Sequence, residues 1–143
     1  MNYSAPSRRF GQQSAKAYAQ VGLETQVLSA SPEHLITLLF NGARAAIMQA
    51  RLHMENGNIA GRGQAISKAL DIVDSGLKMS VDQEKGGELA SNLIVTYDII
   101  IRNLLLANLH NDSDKLSLAE RMLIDIADAW STSVDPQRAQ APA

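Results

Sequence analysis

The chain has 143 residues, enough for one domain with a real core and too few for two. Its formal net charge of -2 supplies no bulk attraction for nucleic acid or an anionic membrane surface, and the absence of cysteine excludes disulfide and thiolate chemistry. Hydrophobic residues make up 45% but aromatics only 4%, a balance rich in Ala, Leu and Ile that favours helices.

The first 17 residues or so are polar and rich in Gly, Ser and Gln, the composition of a mobile arm. They carry basic residues but no apolar h-region, so they do not read as a secretory signal. The expectation is a soluble cytoplasmic protein.

Ser31-Pro32 reads as an N-cap followed by proline at the first helical position, opening a helix over about 32–56. On it Leu35, Leu39, Ala43, Ala46 and Ala50 share a face, with Ile36, Phe40 and Ile47 beside them. Glu55-Asn56-Gly57-Asn58 reads as a stop and a new cap, starting a second helix over about 58–83. Its seam is Ile59, Ile66, Leu70, Val73 and Leu77. About 90° away lies a row of mostly small residues: Ala65, Ala69, Ile72 and Gly76. Gly86-Gly87 breaks the chain again and a third helix runs over about 87–110. Asn111-Asp112-Ser113 ends it, and a fourth helix over about 113–131 lines up Leu116, Leu123, Ile126, Ala127 and Trp130. Residues 132–143 form a Pro/Ala/Gln tail, expected to be disordered.

No proline falls between Glu33 and Asp135, nothing alternates as a strand would, and the short connections force neighbouring helices to run antiparallel. The fold class expected is all-α: an antiparallel up-and-down four-helix bundle over residues 18–131, with a short N-terminal lid segment.

The third helix is unusual. Its stretch LIVTYDIIIRNLLLANL (93–109) is greasier than one buried face requires. A membrane span is rejected on length, since it needs roughly 20 mostly apolar residues and here Asp98 and Arg102 would sit near its middle; at i and i+4 they read as an exposed pair on a soluble helix. On a helical wheel Leu93, Tyr97, Ile100 and Leu104 form one stripe, widened by Ile94, Ile101 and Leu105; Val95, Ile99 and Leu106 form another. One stripe suffices for a bundle core. The second is then either covered by another part of the chain or offered to a partner. Set beside the small residues of the second helix, it would make a shallow apolar groove suited to an amphipathic helix. The arm carries Arg8, Arg9 and Lys16, whereas residues 111–130 carry five acids against two bases, which suggests a weakly held lid.

Catalytic and metal patterns do not assemble. His34, His53 and His110 lie in no E-x-x-H or H-E-x-x-H context, and Asp71/Asp74 and Asp125/Asp128 are the i, i+3 carboxylate pairs that solvated helices commonly carry. Gly61-Arg62-Gly63 and Lys85-Gly86-Gly87 lack the strand and spacing of a phosphate loop. Phosphorelay at His53 is the enzymatic alternative. The expectation is a non-enzyme without cofactor or metal.

Ala17-Tyr18-Ala19-Gln20-Val21, SASPEHLITLLFNGA (29–43), DQEKGGELASNL (82–93), TYDIIIRNLLLANLHND (96–112) and Ala129-Trp130 together resemble the FliS family of flagellar secretion chaperones. The resemblance runs in order over nearly the whole bundle. It implies that the client is the C-terminal segment of flagellin, held unpolymerised in the bacterial cytoplasm and delivered to the type III export apparatus. It also implies engagement of the export-gate component FlhA by the chaperone–client complex. The family's N-terminal tyrosine maps onto Tyr18, in a segment expected to rearrange when client binds. The sequence departs from the family pattern at Ile99, where many relatives carry an aromatic, and at Asn41, where aspartate is frequent.

The expected partner-binding residues are Val95, Ile99 and Leu106 as apolar contacts, with Ala65, Ala69, Ile72 and Gly76 as the floor. Arg102 and Asn108 would fix orientation, and Tyr18 would hold the lid. The protein is expected to be a monomer that binds client one-to-one; the competing expectation is a structural bundle that self-associates through its second apolar stripe.

Overall fold

The computed structural model describes residues 30–134. Tyr18, the basic arm and the tail beyond residue 134 lie outside them. The described residues form four helices and no strand, an all-α bundle in the antiparallel order expected.

Helix α1 (Pro32–Glu55) starts where Ser31 caps it, its hydroxyl accepting from the His34 amide at 3.2 Å, with proline at the first position. It ends through Asn56 and Gly57, whose φ of 68° is the left-handed region that glycine enters without steric cost. Helix α2 begins at Ile59, where the Asn58 side chain accepts from the Gly61 amide at 2.9 Å.

Beyond Asp71, α2 departs from the regular helix expected to residue 83. It widens into a π-helical turn over Ile72–Leu77, then tightens into a 3-10 turn over Lys78–Ser80. Ile72, Val73, Gly76 and Leu77 are all buried in this wider turn.

Helix α3 (Gln83–His110) starts four residues earlier than the glycine pair suggested, because Asp82 caps it by accepting from the Lys85 amide at 3.1 Å. Gly87 interrupts it with φ 54° and ψ -131°, a conformation for glycine alone. Asn111 closes it in the left-handed region, and Asp112 caps α4 (Ser113–Val134) by accepting from the amides of Asp114 and Lys115. Helix α4 runs three residues past its expected end.

Each helix packs on its neighbours in sequence, and α4 returns to pack on α1 and close the ring. The core is aliphatic: Leu39, Ile47, Ile66, Ile100, Leu104, Leu116 and Leu123 are fully buried. Ile59, expected in the seam of α2, is exposed because it stands at the first helical position, beyond the end of the packed ring.

Candidate functional site

Helix α3 answers the question its sequence raises. Tyr97, Ile100, Leu104 and Ala107 are buried, so the first stripe is the core stripe. Val95 and Ile99 remain 56% and 42% exposed, and Leu106 is half-buried. By length and composition an 18-residue window of α3 would pass for a membrane span, so length does not reject that reading. What speaks for a bundle helix is the buried stripe, which packs against the neighbouring helices. Helix α3 is a core helix with apolar surface to spare.

Which neighbour borders that surface is fixed by two contacts. From α2, Arg62 reaches α3 and its cap, donating through Nε to Asn108 Oδ1 at 3.1 Å, through Nη2 to the Asn108 carbonyl at 3.0 Å and through Nη1 to Asn111 Oδ1 at 2.7 Å. From the end of α2, Lys78 pairs with Asp98 at 2.7 Å, which raises the lysine's pKa. Helix α2 therefore flanks the side of α3 that carries Asp98 and Asn108. Ile99 stands nine residues from Asn108, roughly 180° around the helix. Ile99 and Leu106 thus turn toward the α4 flank, whereas Val95, three residues and about 60° from Asp98, faces outward between the two neighbours.

This corrects the expected groove. Ala65, Ala69, Ile72 and Gly76 do not floor an open channel beside Val95 and Ile99. All four are buried, Ala69 and Ile72 completely. They face α1: a Cβ on Gly76 would come within 2.7 Å of Leu39 Cδ2, and one on Gly61 within 2.6 Å of His53 Nδ1. Between these two fixed points lie Ala43, Ala46 and Ala50 on α1, also buried. The small residues exist so that α1 and α2 approach closely. His53, the residue of the phosphorelay alternative, uses its ring in that contact.

On the α4 side the stripe has companions the sequence reading did not assemble. Leu118 is exposed, Met122 is half-buried and Ala129 is exposed. Helices α3 and α4 are antiparallel across a two-residue connection, so Leu106 and Leu118 lie near the connection while Val95 and Ala129 lie toward the other end. Beside the stripe Asn103 is the one buried polar side chain among the described residues, donating to the Ile99 carbonyl at 2.9 Å. Arg102 is exposed on the same arc of α3, whereas Asn108 is held by Arg62. Asn41 sits apart, lining a small groove between α1 and α4 with Arg44 and Asp128.

A second feature was missed altogether. At the end of the bundle where α1 starts and α4 finishes, an apolar cleft of about 450 Å³ opens between the helices, lined among others by Phe40, Leu77, Leu93, Tyr97 and Trp130. Its residues come from four separate helices, so no local pattern announces it. Among the described residues no three His, Cys, Asp or Glu side chains stand together as a metal group would.

The model of the family described as "Flagellar protein FliS" matches residues 14–138. The Flagellar secretion chaperone FliS of Salmonella typhimurium is 53% identical over 115 residues, spanning 80% of this chain and 85% of that protein. Its namesake in Escherichia coli (strain K12) is 43% identical over 128 residues, 89% of this chain and 94% of that one. The similarity reaches as far as Bacillus subtilis, whose protein of the same name is 28% identical over 115 residues.

Proposed function

Because the chain belongs to the FliS family of flagellar secretion chaperones, we propose that its client is the C-terminal segment of flagellin, bound one-to-one in the bacterial cytoplasm. Binding keeps the segment from polymerising before export, and the complex is handed to the flagellar type III export apparatus through FlhA.

The observation that supports this reading is the exposed aliphatic stripe Val95–Ile99–Leu106, bordered on α4 by Leu118 and Met122. A client that is disordered when free loses conformational entropy as it orders on the chaperone. Aliphatic side chains buried at about 1.5–3 kcal/mol each offset that cost. The groove is rearranged from the sequence-based expectation: its second wall is α4, and α2 contributes no open floor. Arg102, on the same exposed arc of α3, orients the client. The segment around Tyr18 acts as the lid.

Isothermal titration with a peptide covering the C-terminal segment of the same organism's flagellin tests the proposal. The expected result is saturable one-to-one binding with a strongly negative heat-capacity change. A folded protein that binds no such peptide refutes the client assignment. Concentration-dependent dimerisation in sedimentation, abolished by Ile99→Asp, would instead give the stripe to self-association.

A further inference from the structure

The outward face of α3 carries one charge that nothing on the bundle neutralises. At about 100° per residue its side chains fall into three rows: Asp98 and Leu105; Val95, Arg102 and Leu109; Ile99 and Leu106. Leu105 and Leu109 are exposed like Val95 and Ile99, so the face is aliphatic on both sides of Arg102. Val95 and Leu109 stand one heptad before and after the cation, about 10 Å away in each direction. The sequence pairs Asp98 with Arg102 at i and i+4, but in the structure Asp98 is taken by Lys78, from the end of α2, at 2.7 Å. Among the described residues Arg102 forms no ion pair and no side-chain hydrogen bond.

A helix laid over this face takes Arg102 out of water together with the aliphatic side chains around it. An unpaired guanidinium is costly to desolvate, whereas one met by a carboxylate is compensated and fixes the register of the contact. The planar fork of arginine matches a carboxylate through two parallel hydrogen bonds. Because the aliphatic rows run past Arg102 both ways, the matching anion belongs in the middle of the incoming helix and not at its end. A nucleic acid or an anionic membrane fits poorly, since the cation stands alone on a chain of net charge -2.

Resting on the client reading above, we propose that Arg102 is the specificity-determining residue of the α3 face: it pairs with a side-chain carboxylate in the middle of the client's amphipathic helix and so selects the stretch of client that lies there. Lys78 is its positioning residue. An aspartate four residues before an arginine on one helix is well placed to capture it, and by holding Asp98 the lysine leaves Arg102 free for the client. Residues 1–29 offer a single competing carboxylate, Glu24.

Titration calorimetry of the full chain with the client peptide, at low and at high salt, tests both roles. Arg102→Gln, at an exposed position, should keep the helical spectrum, weaken binding about fivefold at low salt and flatten the salt dependence. Changing one Asp or Glu of the peptide to its amide should weaken binding to the wild-type protein equally and add nothing to Arg102→Gln, the signature of a direct pair in a double-mutant cycle. Lys78→Met should weaken binding about twofold from the far flank of α3, and adding Asp98→Asn should restore it. Unchanged affinity and salt slope in Arg102→Gln, or no acidic position of the peptide coupled to it, would overturn the inference while leaving the client reading intact. Coupling to the terminal carboxylate of the peptide, lost on amidation, or to Glu24, lost in Glu24→Gln, would also overturn it. A Lys78→Met defect that Asp98→Asn does not rescue would remove the role given to Lys78. A wild-type protein that binds no peptide would fail the client reading itself.

Discussion

Two glycines of α2 behave oppositely for reasons that one sequence reading treats alike. A Cβ on Gly63 would meet only Asn108 Oδ1 at 4.0 Å, so Gly63→Ala should stabilise the protein by up to about 1 kcal/mol through helix propensity. At Gly76 the added atoms run into Leu39, which is itself buried, and Gly76→Val should destabilise by about 2 kcal/mol through overpacking. Urea unfolding of the two variants checks both signs. At Ile99 the expectation concerns binding: Ile99→Asp should weaken client affinity by more than tenfold and leave the helical spectrum intact, because the side chain is already 42% exposed. Loss of the fold in that variant would mean the stripe belongs to the core.

At the scale of elements, much was legible from sequence because it is local chemistry. The caps at Ser31 and Asn58, the breaks at Gly57 and at Asn111-Asp112-Ser113, and the division of α3 into two stripes depend only on near neighbours. What was not legible depends on which helix stands beside which flank. A helical wheel gives angles within α3 but not the position of α2 around it; the Arg62 and Lys78 contacts supply that, and they turn Ile99 and Leu106 toward α4. The small residues of α2 carry little apolar signal of their own, so they read as surface although they are a close helix contact. Tyr97 shows what burial in the core stripe of α3 does to chemistry. Desolvation raises its phenol pKa well above the ordinary 10.0. The folded state therefore binds the proton more tightly than the unfolded chain, so this contribution is complete below pH 10 and is lost as pH rises beyond it. Stability should fall through the alkaline range, and Tyr97→Phe should flatten that fall. In an absorbance titration of the three tyrosines, Tyr97 should ionise only as the protein unfolds.

Among the described residues the four helices form a ring in which each touches the next one in sequence, and the seam between α4 and α1 joins the parts most distant along the chain. That seam is held by the Trp130 indole donating to Thr37 Oγ1 across 93 residues, and by Arg51, which pairs with Glu120 at 3.0 Å and donates to Ser117. The remaining packing is local in sequence, so helical hairpins form with little loop-closure entropy and the chain should fold quickly. Closing the ring is then a late event, and contacts made late act on the rate of escape rather than on the rate of arrival. Arg51→Ala should raise the unfolding rate a few-fold in stopped-flow denaturant jumps while the refolding arm scarcely moves. A matching drop in the refolding rate would place the seam in the folding nucleus instead. The lifetime of the closed bundle is thus governed by one seam, and that seam ends at Trp130, on the wall of the end cleft.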